Sequence, residues 1–107
     1  MALTRDFRET VRAQAAQDPR FCAALFTEAI DAYLAGDVAA GKAVLRDLVN
    51  ATIGFERLAA EVKKPSKSLH RMLAQNGNPG MDNLAAIFGA IRTALRVEIE
   101  AHTVEAA

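Results

Sequence analysis

The sequence predicts an all-α fold, a compact bundle of about five to six helices, and three observations carry that prediction. Apolar residues make up 51% of the chain, and many of them are alanine, the strongest helix former and small enough to let helices approach closely. Aromatics are only 6%, and no β-branched run shows the alternation of a strand. Apolar side chains recur instead at spacings of three and four. A chain of 107 residues can build one core and is too short for two.

Residues 4–17 read as a charged helix that Thr4 can cap and in which Phe7 and Val11 form an (i, i+4) apolar pair. Its stripe is thin, so residues 1–17 are expected as a surface helix or arm. Arg5, Arg8 and Arg12 share one side and read first as a solvated face, with DNA or a partner as the alternative. Asp18 and Pro19 suit an N-cap followed by the first helical position. The helix they open is expected to run to about Ala35, with Phe21, Leu25, Phe26, Ile30, Tyr33 and Leu34 on its apolar face. Gly36 ends it and Asp37 caps the next, from Val38 to about Ala51, whose stripe is Val44, Leu45, Leu48 and Val49. Gly41 inside that helix costs about 1 kcal/mol relative to alanine, and close packing on a neighbour would explain it. Thr52-Ile53-Gly54 breaks the chain.

Residues 55–75 then read as two short amphipathic helices at a tight polar corner. Phe55, Leu58, Ala59 and Val62 line the first; Leu69, Met72 and Leu73 line the second. Pro65 suits the first turn of a new helix, so the first helix ends near Val62 and the second begins near Pro65. Asn76-Gly77-Asn78-Pro79-Gly80 stops the second after about ten residues, because Gly and Asn tolerate the backbone of a helix end and Pro79 cannot propagate it. Asp82 or Asn83 is expected to cap a last helix with Leu84, Ile87, Phe88, Ile91 and Leu95 as its stripe. Residues 96–107 form an acidic tail that frays or pairs with a partner chain. The expected domain therefore spans 18–95.

Two short helices at a sharp corner describe a helix-turn-helix. Seating Leu69 and Leu73 in the core turns Ser66, Lys67, His70 and Arg71 outward, a face with no carboxylate. Such groups donate to phosphates and to guanine edges. A solvated helical hairpin fits the same pattern, and the charge distribution favours DNA. Residues 51–75 hold five basic residues against two acidic ones, a net +3, whereas the whole chain balances 13 against 13. A neutral chain that gathers positive charge on one corner offers that corner to a polyanion.

The run Leu58-Ala59 to Val62, then Pro65-Ser66-Lys67-Ser68-Leu69-His70-Arg71-Met72-Leu73, then Gly77-Asn78-Pro79 and Leu84, resembles the lambda-repressor-like (Cro/CI type) helix-turn-helix. More narrowly it is similar to the HigA-like addiction-module antidotes and their stand-alone regulator relatives. In that group the second helix reads Ser-Leu-Tyr-Lys/Arg-x-Leu before a Gly-Asn-Pro corner, matched here by Ser68 to Leu73 and Gly77-Asn78-Pro79. Asp18-Pro19-x-Phe21 and Gly36-Asp37 extend the likeness upstream, so it covers roughly 18–95. Two positions depart from it. Lys63 stands where the turn usually has glycine, which demands a positive φ or a turn of another shape. Phe55 opens the first helix where many repressors have a polar phosphate contact.

No arrangement here supports an enzyme. His70 and His102 lie far apart with no carboxylate or cysteine at metal-ligand spacing, so neither a metal nor a cofactor is expected. Cys22, flanked by Phe21 and Leu25, reads as a buried structural thiol. No apolar run approaches the roughly 18 residues of a membrane span and the N-terminus has no apolar h-region, so a cytoplasmic protein with no membrane partner is expected. Two functions remain. The first is a sequence-specific regulator of double-stranded DNA, a homodimer in which Arg71, Lys67 and Ser66 read base edges while Lys64, Ser68 and the Asn76-Gly77-Asn78 corner hold phosphates. His70 belongs to the same face. The second is an antidote that neutralises a small toxin protein by direct binding. Continuous folding over 18–95 ranks the regulator first, because antidotes often use a partner-folded segment.

Overall fold

Five helices order the chain in a computed structural model that describes residues 18–107; the helix expected over 4–17 lies outside the described residues. They are α1 (Pro19–Leu34), α2 (Val38–Ala51), α3 (Gly54–Val62), α4 (Ser66–Met72) and α5 (Met81–Leu95). The all-α bundle is as the sequence predicts, with no strand among the described residues.

The local signals placed most of the boundaries. The Asp18 carboxylate accepts the Arg20 N–H at 3.0 Å and Pro19 opens α1. Gly36 adopts φ +85 after the last turn, and the Asp37 carboxylate accepts the Ala40 N–H at 3.2 Å to start α2. Each cap meets a donor that the first helical turn would otherwise leave orphaned. Gly41 lies against the Tyr33 ring, where an added Cβ would come within 2.8 Å of a ring carbon, so the glycine is the condition for α1 and α2 to pack this closely.

Twelve side chains from all five helices and the residue after α4 form one core: Cys22, Phe26 and Ala29 of α1, Leu45, Leu48 and Val49 of α2, Phe55 and Leu58 of α3, Leu69 and Leu73, and Ile87 and Ile91 of α5. Phe88 meets Phe26 at 6.0 Å and Tyr33 edge-on at 5.8 Å between ring centroids, which ties α5 across α1. The buried stripes expected on α2, α3 and α5 are therefore in place.

Four expectations need correction. Leu34, placed on the apolar face of α1, is 75% exposed, because the helix ends there and the chain turns away from the core. Pro65 precedes α4 with an extended ψ of 140 and does not sit in its first turn; its carbonyl accepts from the N–H groups of Ser68 and Leu69. Helix α4 has seven residues and not about ten, since beyond Met72 the chain tightens into turns with Ala74 N–H on Arg71 O and Gly77 N–H on Ala74 O. Neither Asp82 nor Asn83 caps α5: the helix starts at Met81 after an extended Gly80, without a side-chain cap, and Asp82 falls in its first turn, where its charge suits the helix dipole.

Candidate nucleic-acid interface

Helices α3 and α4 build the candidate interface, and the turn between them depends on a residue in an uncommon conformation. Lys63 adopts φ 58, ψ 46, the left-handed region, so that Ala59 O accepts both the Lys63 and Lys64 N–H groups and α3 stops within one residue. Glycine enters this region without strain and lysine does not. The chain thus keeps the tight turn at lysine's expense, and Lys63 and Lys64 stand side by side and exposed at the corner.

From that corner α4 inserts Leu69, with Leu73 just beyond its end, into the core. Their burial sets the rotation of the helix. Lys67 and Arg71, two residues before Leu69 and two after, are exposed, while Ser66 and Ser68 are half-buried in the first turn. His70 is exposed as expected, yet one face of its imidazole lies on Phe55, with centroids 3.9 Å apart and planes 21° from parallel. Phe55 itself is buried. The apolar residue at the start of α3 thus serves as a platform that fixes α4 against α3, and His70 presents only its outer face and ring edge.

The Asn76-Gly77-Asn78 corner divides. Asn76 and Asn78 are exposed and can donate to a phosphate. Gly77 is half-buried, with its N–H on Ala74 O at 2.9 Å and its carbonyl accepting from Lys42 Nζ at 2.6 Å. A Cβ at Gly77 would lie 2.2 Å from Arg71 O and 2.4 Å from Met72 O. Gly77 therefore shapes the end of α4 and has no N–H left for a phosphate, which corrects its expected role.

Two residues that sequence reasoning passed over complete this end. Lys42, only 5% exposed, donates to Gln75 O at 2.9 Å and to Gly77 O at 2.6 Å. Arg46, one turn further along α2, donates from Nη1 to Leu73 O at 2.7 Å. Their (i, i+4) spacing was visible, but spacing alone cannot separate a solvated pair from one that turns inward. Among the described residues no cluster of three or more His, Cys, Asp or Glu side chains could hold a metal ion, and no helix is long and apolar enough to cross a membrane. Against protein-family models, curated proteins and solved structures the chain finds no match.

Proposed function

We propose that the protein is a sequence-specific DNA-binding transcriptional regulator, an antitoxin-like repressor that acts as a dimer through α3 and α4. The observation that carries the proposal is the outward face of α4, where Lys67 and Arg71 are exposed with Ser66 and His70 beside them and no carboxylate among them, over two buried leucines that fix their direction. The resemblance of residues 55–80 to lambda-repressor-like and HigA-like proteins supports the same reading. Lys64, with Lys63 beside it, and Asn76 and Asn78 stand at the two ends of α4 as phosphate donors, which position a helix on the duplex, while Arg71 and Lys67 can reach base edges in the major groove. A helix of seven residues reads too few bases to be selective alone, so two copies on half-sites about 34–36 Å apart are required.

The test is binding to the chain's own upstream promoter DNA against a scrambled duplex of equal length, titrated in salt. Arg71→Ala should cost about 1–3 kcal/mol on the promoter and relax its sequence preference. Lys64→Ala should weaken both duplexes about equally and flatten the salt dependence. Folded variants that bind both duplexes as the wild type does would refute this docking. Weak, unselective binding by the wild type would shift the reading to a protein-binding antidote for a small toxin.

A further inference from the structure

We infer that Lys42 and Arg46, both on α2 and away from the outward face of α4, are positioning residues that set the sequence selectivity of the interface. The inference rests on the DNA-binding reading above. Three hydrogen bonds between residues 27 to 35 positions apart converge on one short segment, from Lys42 Nζ to Gln75 O and Gly77 O and from Arg46 Nη1 to Leu73 O. That segment begins two residues after Arg71. Its path is further confined because Gly77 sits so close to the carbonyls of Arg71 and Met72 that no side chain fits between them.

A merely structural contact could have been apolar. Burying an ammonium carries a desolvation cost that well-packed apolar residues avoid, and its return is directional, since each carbonyl must stay where the donor can reach it. Helix α4 packs chiefly on α3, and the three acceptor carbonyls, of Leu73, Gln75 and Gly77, belong to the chain just past its last residue, outside the helical ladder. Two cations fixed to α2 meet those carbonyls and hold the far end of α4 in place, while Phe55 under His70 steadies its side toward α3. With the rotation already set by the buried Leu69 and Leu73, they hold the tilt of the helix and so complete the aim of Arg71 and Lys67. A base contact depends on that aim far more than a contact to a phosphate by a flexible lysine, so loss of the clamp should remove selectivity and spare general affinity.

The experiment uses the full chain, a duplex enriched by the wild type from a random-sequence pool, and a scrambled duplex of the same composition. Lys42→Met keeps the stem and removes the ammonium. Because loss of a buried donor can unfold a small domain, Arg46→Met is made alongside it, and Arg46→Lys restores a cation of similar reach. Val49→Ala lowers stability from the same helix and removes none of the three hydrogen bonds' donors. The expected result is that folded Lys42→Met or Arg46→Met binds the scrambled duplex about as the wild type does and loses about tenfold on the enriched one, the worth of one base contact. Arg46→Lys should recover most of the ratio and Val49→Ala should leave it unchanged. An unchanged ratio in the folded Met variants, or an equal fall in Val49→Ala, overturns the inference. So does failure of both Met variants to fold, since the pair would then be purely structural. If the wild type enriches no duplex, the DNA-binding reading itself fails and takes this inference with it.

Discussion

Lys63 occupies the left-handed region at φ 58 with nothing in its side chain to favour that conformation. Left-handed backbone costs a non-glycine residue about 1–2 kcal/mol, and glycine's extra freedom in the unfolded chain returns part of any gain from replacing it. Lys63→Gly should therefore stabilise the domain by about 1 kcal/mol, read as a higher denaturant midpoint with unchanged slope. The same change removes one exposed charge beside Lys64, so binding to all duplexes should weaken slightly. A more stable protein that binds less well would show that the strain is retained for the lysine's charge. Cys22 presents the opposite case, a residue without strain. Burial, reinforced by the Asp18 carboxylate, pushes its thiol above the ordinary range. Above the ordinary thiol pKa the folded state then holds more protons than the unfolded state, so this group's contribution lowers stability as pH rises through that range. The thiolate is the reactive species, and alkylation at about pH 8 should follow global unfolding and be nearly absent in the native protein.

At the scale of the element, α4 is defined by how it ends. Propensity alone would carry it to Gln75 or Asn76. The close approach of Gly77 to Arg71 O and Met72 O stops it at Met72, and Lys42 and Arg46 hold the carbonyls of Leu73, Gln75 and Gly77 in the segment that follows. Gly77→Ala forces a methyl against two backbone oxygens that belong to the helix and cannot swing aside. It should cost about 1–3 kcal/mol, as overpacking does, and should raise amide exchange at Leu73, Ala74 and Gly77. A neutral Gly77→Ala would mean that the corner relaxes easily and that α4 is not held at its far end.

Taken whole, the domain uses α1, α2 and α5 as a scaffold that carries the α3–α4 corner. Leu69 joins the two, being the α4 residue that reaches the common core at 1% exposure. Leu69→Ala should cost about 2–5 kcal/mol and, under the proposed function, a folded variant should lose selective binding with no group on the outward face of α4 removed. Thermal or denaturant unfolding measures the first and the duplex pair measures the second. A cost well under that range would show that α4 is a peripheral arm and not part of the cooperative unit.

The sequence by itself determined the fold class, four of the five helix starts to within a residue or so, and the two leucines that orient α4, because these follow from short-range chemistry: a carboxylate two or three residues from the N–H it caps, a proline without a donor, apolar side chains one turn apart. It also marked Lys63 as a residue in a glycine's place, though it could not choose between strain and a different turn. Only the tertiary structure decided that choice, along with the stacking of His70 on Phe55, the spatial need for Gly77, and the inward turn of Lys42 and Arg46. His70 and Phe55 lie 15 positions apart, the Lys42 and Arg46 contacts span 27 to 35, and Gly77 meets carbonyls five and six positions back only because the backbone folds onto itself there. Such contacts leave no periodic trace in the chain, since a lysine that reaches a distant carbonyl and a lysine that faces water have the same neighbours in sequence.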